Sequence, residues 1–214
     1  MAVLRPLKLV IENYPAARTE EIDAINHPDN PGAGTRRIAF GRELYIERED
    51  FVEEPPRNFH RLAPGREVRL RYAYFVTCRE VVKDAAGEIV ELRCTYDPAT
   101  RGGHAPDGRK VRGTIHWVSA AHAVPAEIRL YNPLFTRPDP GADGDLIAEL
   151  NPDSLEILDG AMLEPALAGD NSEAAVQFER QGYFARDPAS SPGRPVYNRT
   201  IGLRDTWSKT QAGR

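Results

Sequence analysis

The sequence predicts an all-β protein, and three observations support this class. Short segments rich in β-branched and aromatic residues alternate between apolar and polar positions, as strands with one buried face do. Turn-forming residues punctuate these segments at short intervals. The 18 prolines and 17 glycines leave few windows long enough for a helix. Many short strands separated by turns indicate barrels or sandwiches, and periodicity does not separate those two architectures.

Seven segments carry the strand pattern, namely residues 7–11, 42–46, 67–82, 89–96, 111–118, 127–135 and 175–184. The clearest hairpin joins 72–82 to 89–96 through a turn at 84–87, and a polar loop at 98–110 makes a second connection. One short helix is predicted at 143–150, directly before Asn151-Pro152.

The two cysteines, Cys78 and Cys94, flank the predicted turn at 84–87. Pairing the strands about that turn places Cys78 opposite Arg93 and Cys94 opposite Thr77. The two side chains would then point to opposite faces of the sheet, which disfavours a disulfide. Two cysteines without nearby histidines also disfavour a structural zinc site, and no metal site is predicted.

Charge argues against a general nucleic-acid coat protein and is compatible with a local binding patch. The 214 residues carry a net charge of -4, whereas nonspecific binding requires many cations to neutralise phosphates. Residues 57–79 nevertheless contain six arginines and a single acid, Glu67. Solvated arginines on strand edges would give the same pattern. The planar guanidinium fork also matches phosphate groups and guanine edges, so both interpretations stay open at this point.

Size and hydropathy suit one large or two small domains in a soluble, cytoplasmic protein. No apolar run approaches the roughly 20 residues of a membrane span, and the N-terminus lacks a signal-peptide core. A composition shift at 138–145 (PDPGADGD) predicts a boundary between a first region, 1–137, and a second, 138–207. Residues 208–214 are expected to form a flexible tail.

Several residues invite other chemistry. Ser119 with His116 and His122 lacks a nucleophile elbow and an acid partner, so packing and hydrogen bonding are expected of them. Asp97 and Asp107 do not have the spacing of a calcium loop. The glycine-rich loop at 102–110 could cradle phosphate, but it has no Walker pattern and is expected to be a flexible hairpin loop. The aromatic candidates for base stacking are Tyr183 and Phe184.

Ordered motifs along nearly the whole chain resemble the anticodon-binding half of the glutaminyl-tRNA synthetase family. The longest is VRGTIHWVSAAHAVPAEIRLYNPLF at 111–135, followed by NRTIGLRDTW at 198–207. Shorter ones are LKLVIENY, RLAPGREVRLRYAY, CTYDPAT and QFERQGYF. The family's two ATP-binding signatures, HIGH-like and KMSKS-like, do not occur in these residues. The chain therefore resembles the binding part of such an enzyme without its catalytic part.

The resemblance implies two small β-barrels of the ribosomal L25/glutaminyl-tRNA synthetase type, few short helices, and strands that can exchange between barrels. It also implies that the chain has no catalytic residues or cofactor of its own. ATP with magnesium would serve the catalytic domain of the same polypeptide, which attaches glutamine to its tRNA. The expected partners are the anticodon arm of tRNA(Gln) and that catalytic domain, and the expected state is a monomer.

The resemblance also assigns residues to anticodon bases. Arg61 matches the position that reads the third base, and Arg69 lies near the first. Gln177 and Arg180 match readers of the central uracil, although a spacing of three requires a bulge or a strand end to bring them together. Weaker candidates are Asp29, His60 and Arg71. The family often has Asn at the position of Asp29 and Lys at that of His60, so both departures lower the positive charge facing RNA.

Two alternatives are weighed against this interpretation. One is the anticodon-binding region of an archaeal or eukaryotic-type glutamyl-tRNA synthetase, whose agreement with HWVSAAHAVP and NRTIGLRDTW is poorer. The other is a stand-alone L25-like RNA-binding protein, for which length and the second barrel are drawbacks.

Overall fold

A computed structural model describes residues 1–141, 144–169 and 174–203. The prediction of an all-β protein with barrel-like sheets is confirmed. The strands are Ala2–Val3 (β1), Pro6–Ile11 (β2), Glu20–Ile25 (β3), Thr35–Phe40 (β4), Glu43–Glu47 (β5), Glu67–Leu70 (β6), Phe75–Lys83 (β7), Ile89–Asp97 (β8), Thr114–Ile115 (β9), Trp117–Ser119 (β10), Val124–Tyr131 (β11), Leu155–Leu163 (β12), Val176–Phe178 (β13), Gly182–Arg186 (β14) and Val196–Gly202 (β15).

Helical structure in the described residues is confined to single turns. The α-helix Pro165–Ala168 (α1) is accompanied by 3-10 turns at Pro31–Ala33, Arg48–Asp50 and Pro98–Thr100. No helix in these ranges is both long and apolar enough to cross a bilayer. The prediction of a short helix at 143–150 is wrong for the residues of this range that the structure describes, 144–150. They form turns, and Leu150 makes a bridge with Phe135. A single turn without a packed apolar face is too short to propagate.

The chain forms two compact units, and each is described by itself. The first unit comprises Met1–Val124 with Met162–Leu167, and the second comprises Pro125–Ala161 with the described part of Ala168–Arg214. The division at residue 138 stays a prediction, because compactness does not establish which segments fold independently. The predicted tail, 208–214, lies outside the described residues.

A seven-stranded sheet in the order β10-β5-β2-β8-β7-β6-β9 forms the first unit. Strand β2 runs antiparallel to β5 and parallel to β8, with Leu9 opposite Leu44 on one side and Leu92 on the other. Alternate residues of β2, Leu7, Leu9 and Ile11, are buried, as the period-two pattern predicts.

The segment predicted as one strand at 67–82 is divided by a tight turn. Ala73 N–H donates to the Leu70 carbonyl and Leu70 N–H to the Tyr74 carbonyl, while Tyr72 takes a φ of 64°. A positive φ is uncommon for a bulky residue, so composition alone does not indicate a turn here. Strands β6 and β7 therefore form a hairpin that brings Arg69 opposite Phe75.

The predicted register of the cysteines is wrong. The β7–β8 register shifts between Cys78 and Glu80, which places Cys78 directly opposite Cys94. One extra residue on a strand changes the face on which all later residues lie, and this bulge at Arg79 has no sequence signal. Both cysteines are free thiols buried in the core. The hydrogen bond with Cys78, together with burial, raises the pKa of Cys94 well above its usual value.

A cluster of aromatic residues forms the core beside the two-stranded sheet of β3 and β4. Phe40 packs edge-on against Trp117 with ring centres 5.1 Å apart, and against Tyr14 at 5.3 Å. Glu20, at the start of β3, accepts hydrogen bonds from the hydroxyls of Tyr74 at 2.7 Å and Tyr14 at 3.0 Å. This carboxylate thus links the aromatic core to the surface arginine Arg101, 3.3 Å away.

The second unit contains strands in the order β12-β11-β15-β14-β13. Strand β11 pairs parallel to β15, and the hairpin β13–β14 continues the sheet. Phe178 stacks on Phe184 with ring centres 4.2 Å apart, and Tyr197 meets Phe178 edge-on at 5.2 Å. These rings form the core beneath the segment QFERQGYF.

Gly113 marks a close approach that no other residue type tolerates. A Cβ atom there would lie 1.8 Å from the His60 carbonyl oxygen. We expect Gly113→Ala to lower the free energy of unfolding by about 3 kcal/mol or more, because backbone must move to relieve the overlap. Gly160→Ala is the control, since nothing lies within 4 Å of its added Cβ. Urea denaturation compares them, and equal midpoints would refute the contact.

Acid should weaken the Glu20 contacts. Burial opposes ionisation of Glu20, but the hydrogen bonds from Tyr74, Tyr14 and Arg101 outweigh it and hold its pKa below the usual 4.5. Its contribution to stability is therefore full above pH 4.5 and is lost as the pH falls through the lowered folded-state pKa. We expect the stability difference between the wild type and Glu20→Gln to narrow as pH falls from 7 to below that pKa. Urea midpoints over this range measure it, and a constant difference would contradict the assignment.

Candidate nucleic-acid interface

Arg69 lies at the edge of an open cavity in the first unit. Its backbone N–H donates to the Gly113 carbonyl at 2.9 Å, which fixes the strand beneath the side chain. The guanidinium carbon lies 5.4 Å from the centre of the Phe75 ring, within cation–π range. The cavity has a volume of about 370 Å³ and is also lined by His104, Lys110 and others, namely Ala105, Gly108, Arg109 and Val111.

Arg109 beside this cavity is surrounded by carboxylates. It donates to Glu67 at 2.9 and 3.0 Å, to Asp97 at 2.5 Å and to Asp107 at 2.7 Å. These hydrogen bonds, that to Glu67 foremost, raise the pKa of Arg109, and its own donation lowers the pKa of Asp97. Asp97 and Asp107 thus serve an arginine. Within the described residues, no group of three or more His, Cys, Asp or Glu side chains is placed to hold a metal ion.

Arg71 is held by the turn that follows β6. Its backbone N–H donates to the Ile115 carbonyl, and its carbonyl accepts from the Trp117 indole at 2.9 Å. The guanidinium carbon lies 4.9 Å from the Tyr72 ring centre. The backbone of this weaker candidate is therefore fixed on both sides, while its side chain covers an aromatic ring.

Arg61 has a more enclosed setting than its predicted role suggests. One guanidinium nitrogen lies 3.3 Å from the Asp50 carboxylate, and the Arg61 side chain is 17% exposed against 1% for Asp50. A buried carboxylate requires compensation, so part of the guanidinium stabilises the fold. The neighbouring His60 is exposed, and its carbonyl packs against Gly113.

Asp29, the remaining weak candidate in the first unit, lies in the exposed turn between β3 and β4. Its backbone N–H donates to His27 Nδ1 at 3.1 Å. The carboxylate is exposed. It would repel a phosphate but could accept from a base amino group.

Gln177 and Arg180 lie in one hairpin of the second unit. Gln177 lies in β13 and pairs with Tyr183 of β14 across the hairpin. The side chains of Gln177 and Tyr183 are both exposed. Arg180 lies beyond the strand, in a turn where the Phe178 carbonyl accepts the Gln181 N–H at 2.9 Å. The strand end that a spacing of three requires is thus present between the two residues. Arg180 takes a φ of 65°, a conformation that favours glycine.

The two aromatic candidates for base stacking in this hairpin differ in exposure. Tyr183 is 40% exposed beside Gln177, whereas Phe184 is fully buried against Phe178. The expectation that Phe184 could stack on a base is therefore wrong, because successive residues of a strand face opposite sides and Phe184 faces the core.

The serine and histidines form no triad. Ser119 Oγ lies 3.0 Å from His122 Nδ1, while buried His116 faces Glu47 at 3.5 Å. The Glu47 carboxylate thus faces His116, whereas the histidine that contacts Ser119 is His122. Glu47 itself accepts the backbone N–H groups of Leu4 and Arg5. These side chains have the packing and hydrogen-bonding roles expected of them.

Sequence reasoning did not predict that Phe75, Gly103 and Arg109 lie around Arg69. The pair Gly102-Gly103 was noticed as a flexible loop, but its contact with Arg69 depends on a long-range fold. The available signal was a positive charge at Arg109, shortly after the acids Asp97 and Asp107, which does not show that these side chains meet.

Two family models match the chain, over residues 1–97 and 114–187. Each is described as an anticodon-binding domain of class I tRNA synthetases (E and Q). Their ranges leave out residues 98–113, the connection that carries Gly103 and Arg109.

Curated relatives match almost the full chain. Glutamine–tRNA ligases from Nitrobacter hamburgensis and Nitrobacter winogradskyi are 71% and 68% identical over 212 residues. The glutamine–tRNA ligase of Vibrio vulnificus is 52% identical over 213 residues. Each alignment covers 99% of this chain and 38% of the relative, so the chain spans well under half the length of these proteins. The all-β architecture, the two matched models and these identities show that the chain belongs to the anticodon-binding domains of the class I tRNA synthetases of the E and Q type.

Proposed function

We propose that this chain binds the anticodon loop of tRNA(Gln) and thereby selects the tRNA for a glutamine–tRNA ligase. The observation that carries the proposal is the high identity to glutamine–tRNA ligases along 99% of the chain. Because the relatives compared above all carry the glutamine name, the glutamyl alternative is not favoured. The two matched models describe binding domains, in agreement with the absence of ATP-binding signatures from the sequence.

Recognition would combine charge with exposed base edges. Anticodon bases are single-stranded, so a protein can read them by stacking and by hydrogen bonds to their Watson–Crick edges. In the first unit, Arg69 presents its guanidinium at the 370 Å³ cavity for the first base, and Arg61 would read the third. In the second unit, Gln177 offers both a donor and an acceptor to the central uracil, with Arg180 beside it.

The rest of the polypeptide would perform the chemistry. It would use ATP with magnesium to activate glutamine and attach it to the tRNA 3′ end, in the cytoplasm and as a monomer. The residues described here would supply differential affinity, with each good base contact worth about 1 to 3 kcal/mol. They hold no position in the bond-making steps.

Binding to anticodon stem-loops tests this proposal. We expect Arg69→Ala to weaken binding of the glutamine stem-loop by about 5- to 100-fold, the equivalent of one lost base contact. Gln177→Ala should have an effect of similar size. Fluorescence anisotropy at two salt concentrations measures both variants.

The control is Arg79→Ala, which removes an exposed arginine of the same basic segment whose Nε donates to the Thr95 hydroxyl. Loss at Arg79 equal to that at Arg69 would mean that binding follows charge alone. Equal affinity for glutamine and glutamate stem-loops, or no binding to either, would refute selective reading by this chain.

Arg61 should contribute to the stability of the fold. We expect Arg61→Ala to lower the free energy of unfolding by about 1 to 3 kcal/mol, because the buried Asp50 carboxylate loses a compensating charge. In the Asp50→Asn background the same change should cost less. Urea denaturation of the four proteins in this double-mutant cycle gives the coupling. Additive effects would show that the pair contributes nothing.

A further inference from the structure

We propose that the connection between β8 and β9, residues 98–113, positions Arg69 for selection of the first anticodon base. This inference rests on the proposed function, since it concerns how one of its readers is held. The connection is hereafter called the 98–113 connection. It lies between the two ranges that the family models match.

The Arg69 side chain packs directly on the backbone of this connection. A Cβ atom at Gly103 would lie 2.9 Å from Arg69 Cδ, 3.1 Å from Nε and 3.4 Å from Cγ. Gly103 is buried and has a φ of 81°. The guanidinium carbon also lies 5.4 Å from the Phe75 ring centre. Glycine is therefore required at position 103 both for its conformation and for the approach of Arg69.

Packing, and not a hydrogen bond, holds the inner part of the Arg69 side chain. Its Nε is buried and has no hydrogen-bond partner among the described residues. An arginine stem loses up to about 2 kcal/mol of rotamer freedom when it is immobilised. If the stem is ordered before RNA arrives, that cost does not reduce the affinity. The contacts with Gly103 and Phe75 would supply this order.

The 98–113 connection is itself anchored at both ends of the contact. Gly103 N–H donates to the Thr100 carbonyl at 2.9 Å, and the buried Thr100 hydroxyl accepts the Phe75 N–H at 2.9 Å. At the other end, Arg109 binds Glu67 of β6 and Asp97 of β8. The connection is thus tied to the strands that carry Phe75 and Arg69.

The anchoring arginine and the positioned arginine differ in their charge balance. Arg109 is offset by three carboxylates, whereas no carboxylate in the described part of the chain pairs with Arg69 or with Lys110. The cavity therefore keeps two cations that are available to an anionic or carbonyl-bearing nucleotide. The connection orients Arg69 without neutralising it.

Adjacent glycines provide a matched pair of variants. Gly102 and Gly103 have φ values of 80° and 81°, so alanine meets similar backbone strain at either position. An added Cβ at Gly102 meets nothing within 4 Å, whereas at Gly103 it meets Arg69. The two variants thus separate displacement of Arg69 from strain in the turn.

The experiment measures anisotropy of the 214-residue chain with glutamine stem-loops that differ only in the first or only in the central anticodon base. We expect Gly103→Ala to reduce discrimination at the first base at least 5-fold and to leave discrimination at the central base unchanged. Gly102→Ala should preserve both ratios. A merely structural role of Gly103 would lower all affinities together.

Arg69→Ala in the same assay separates the two proposals. If it abolishes first-base discrimination while Gly103→Ala retains it, the positioning role is overturned and the proposed function stands. If Arg69→Ala leaves first-base discrimination intact although the stem-loop is bound selectively, Arg69 is no reader and the positioning role falls with it. Failure of the unmodified chain to bind selectively overturns the proposed function.

The mobility of the Arg69 side chain in the unmodified chain provides a second test, which does not depend on whether Gly103→Ala folds. In the unmodified chain, ¹⁵N relaxation of the Arg69 Nε–H should show a rigid side chain, with the exposed Arg57 as the mobile comparison. Equal mobility of the two groups would overturn the positioning role.

Discussion

The pairing of β2 with β5 on one side and β8 on the other organises the first unit. Hydrogen bonds of a sheet must be satisfied along both edges of a buried strand, so β2 holds together segments about forty and eighty residues away in the chain. From β8 the sheet continues through β7 to β6. The position of Arg69 is therefore a consequence of three successive strand pairings. Local contacts at the cavity refine that position but do not create it.

Regular alternation was the part of the fold that the sequence could predict. Strands such as β2 and β8 have one buried face, and their apolar residues recur at every second position. The two-stranded sheet β3–β4 was not predicted, because charged residues fill its exposed positions and only a few apolar residues, such as Ile22 and Ile38, mark its buried face. Strand β12 was not predicted either, because Leu155 and Ile157 lie at exposed positions and the strand has no apolar–polar alternation. The division at Tyr72 depends on a positive φ that a bulky residue rarely adopts, and the bulge at Arg79 depends on how β7 pairs with β8.

The candidate site divides in the same way. Residue type and family resemblance pointed to Arg61, Arg69, Gln177 and Arg180, but neither could predict the neighbours of each side chain. Arg61 meets Asp50 and Arg109 meets Glu67 across loops whose geometry is set by the whole sheet. Two arginines of one basic segment consequently differ: Arg61 is enclosed beside a buried acid, and Arg69 faces an open cavity.

At Arg180, the left-handed backbone conformation brings stability into conflict with the proposed role of this residue in anticodon binding. A non-glycine residue with such a backbone costs on the order of 1 kcal/mol or more. Glycine would relieve that strain, so a search for thermostable variants would favour it here. The same replacement would delete a guanidinium from the hairpin that carries Gln177. If this hairpin reads the central base as proposed, engineering for robustness would erode selectivity without any sign of it in a melting curve.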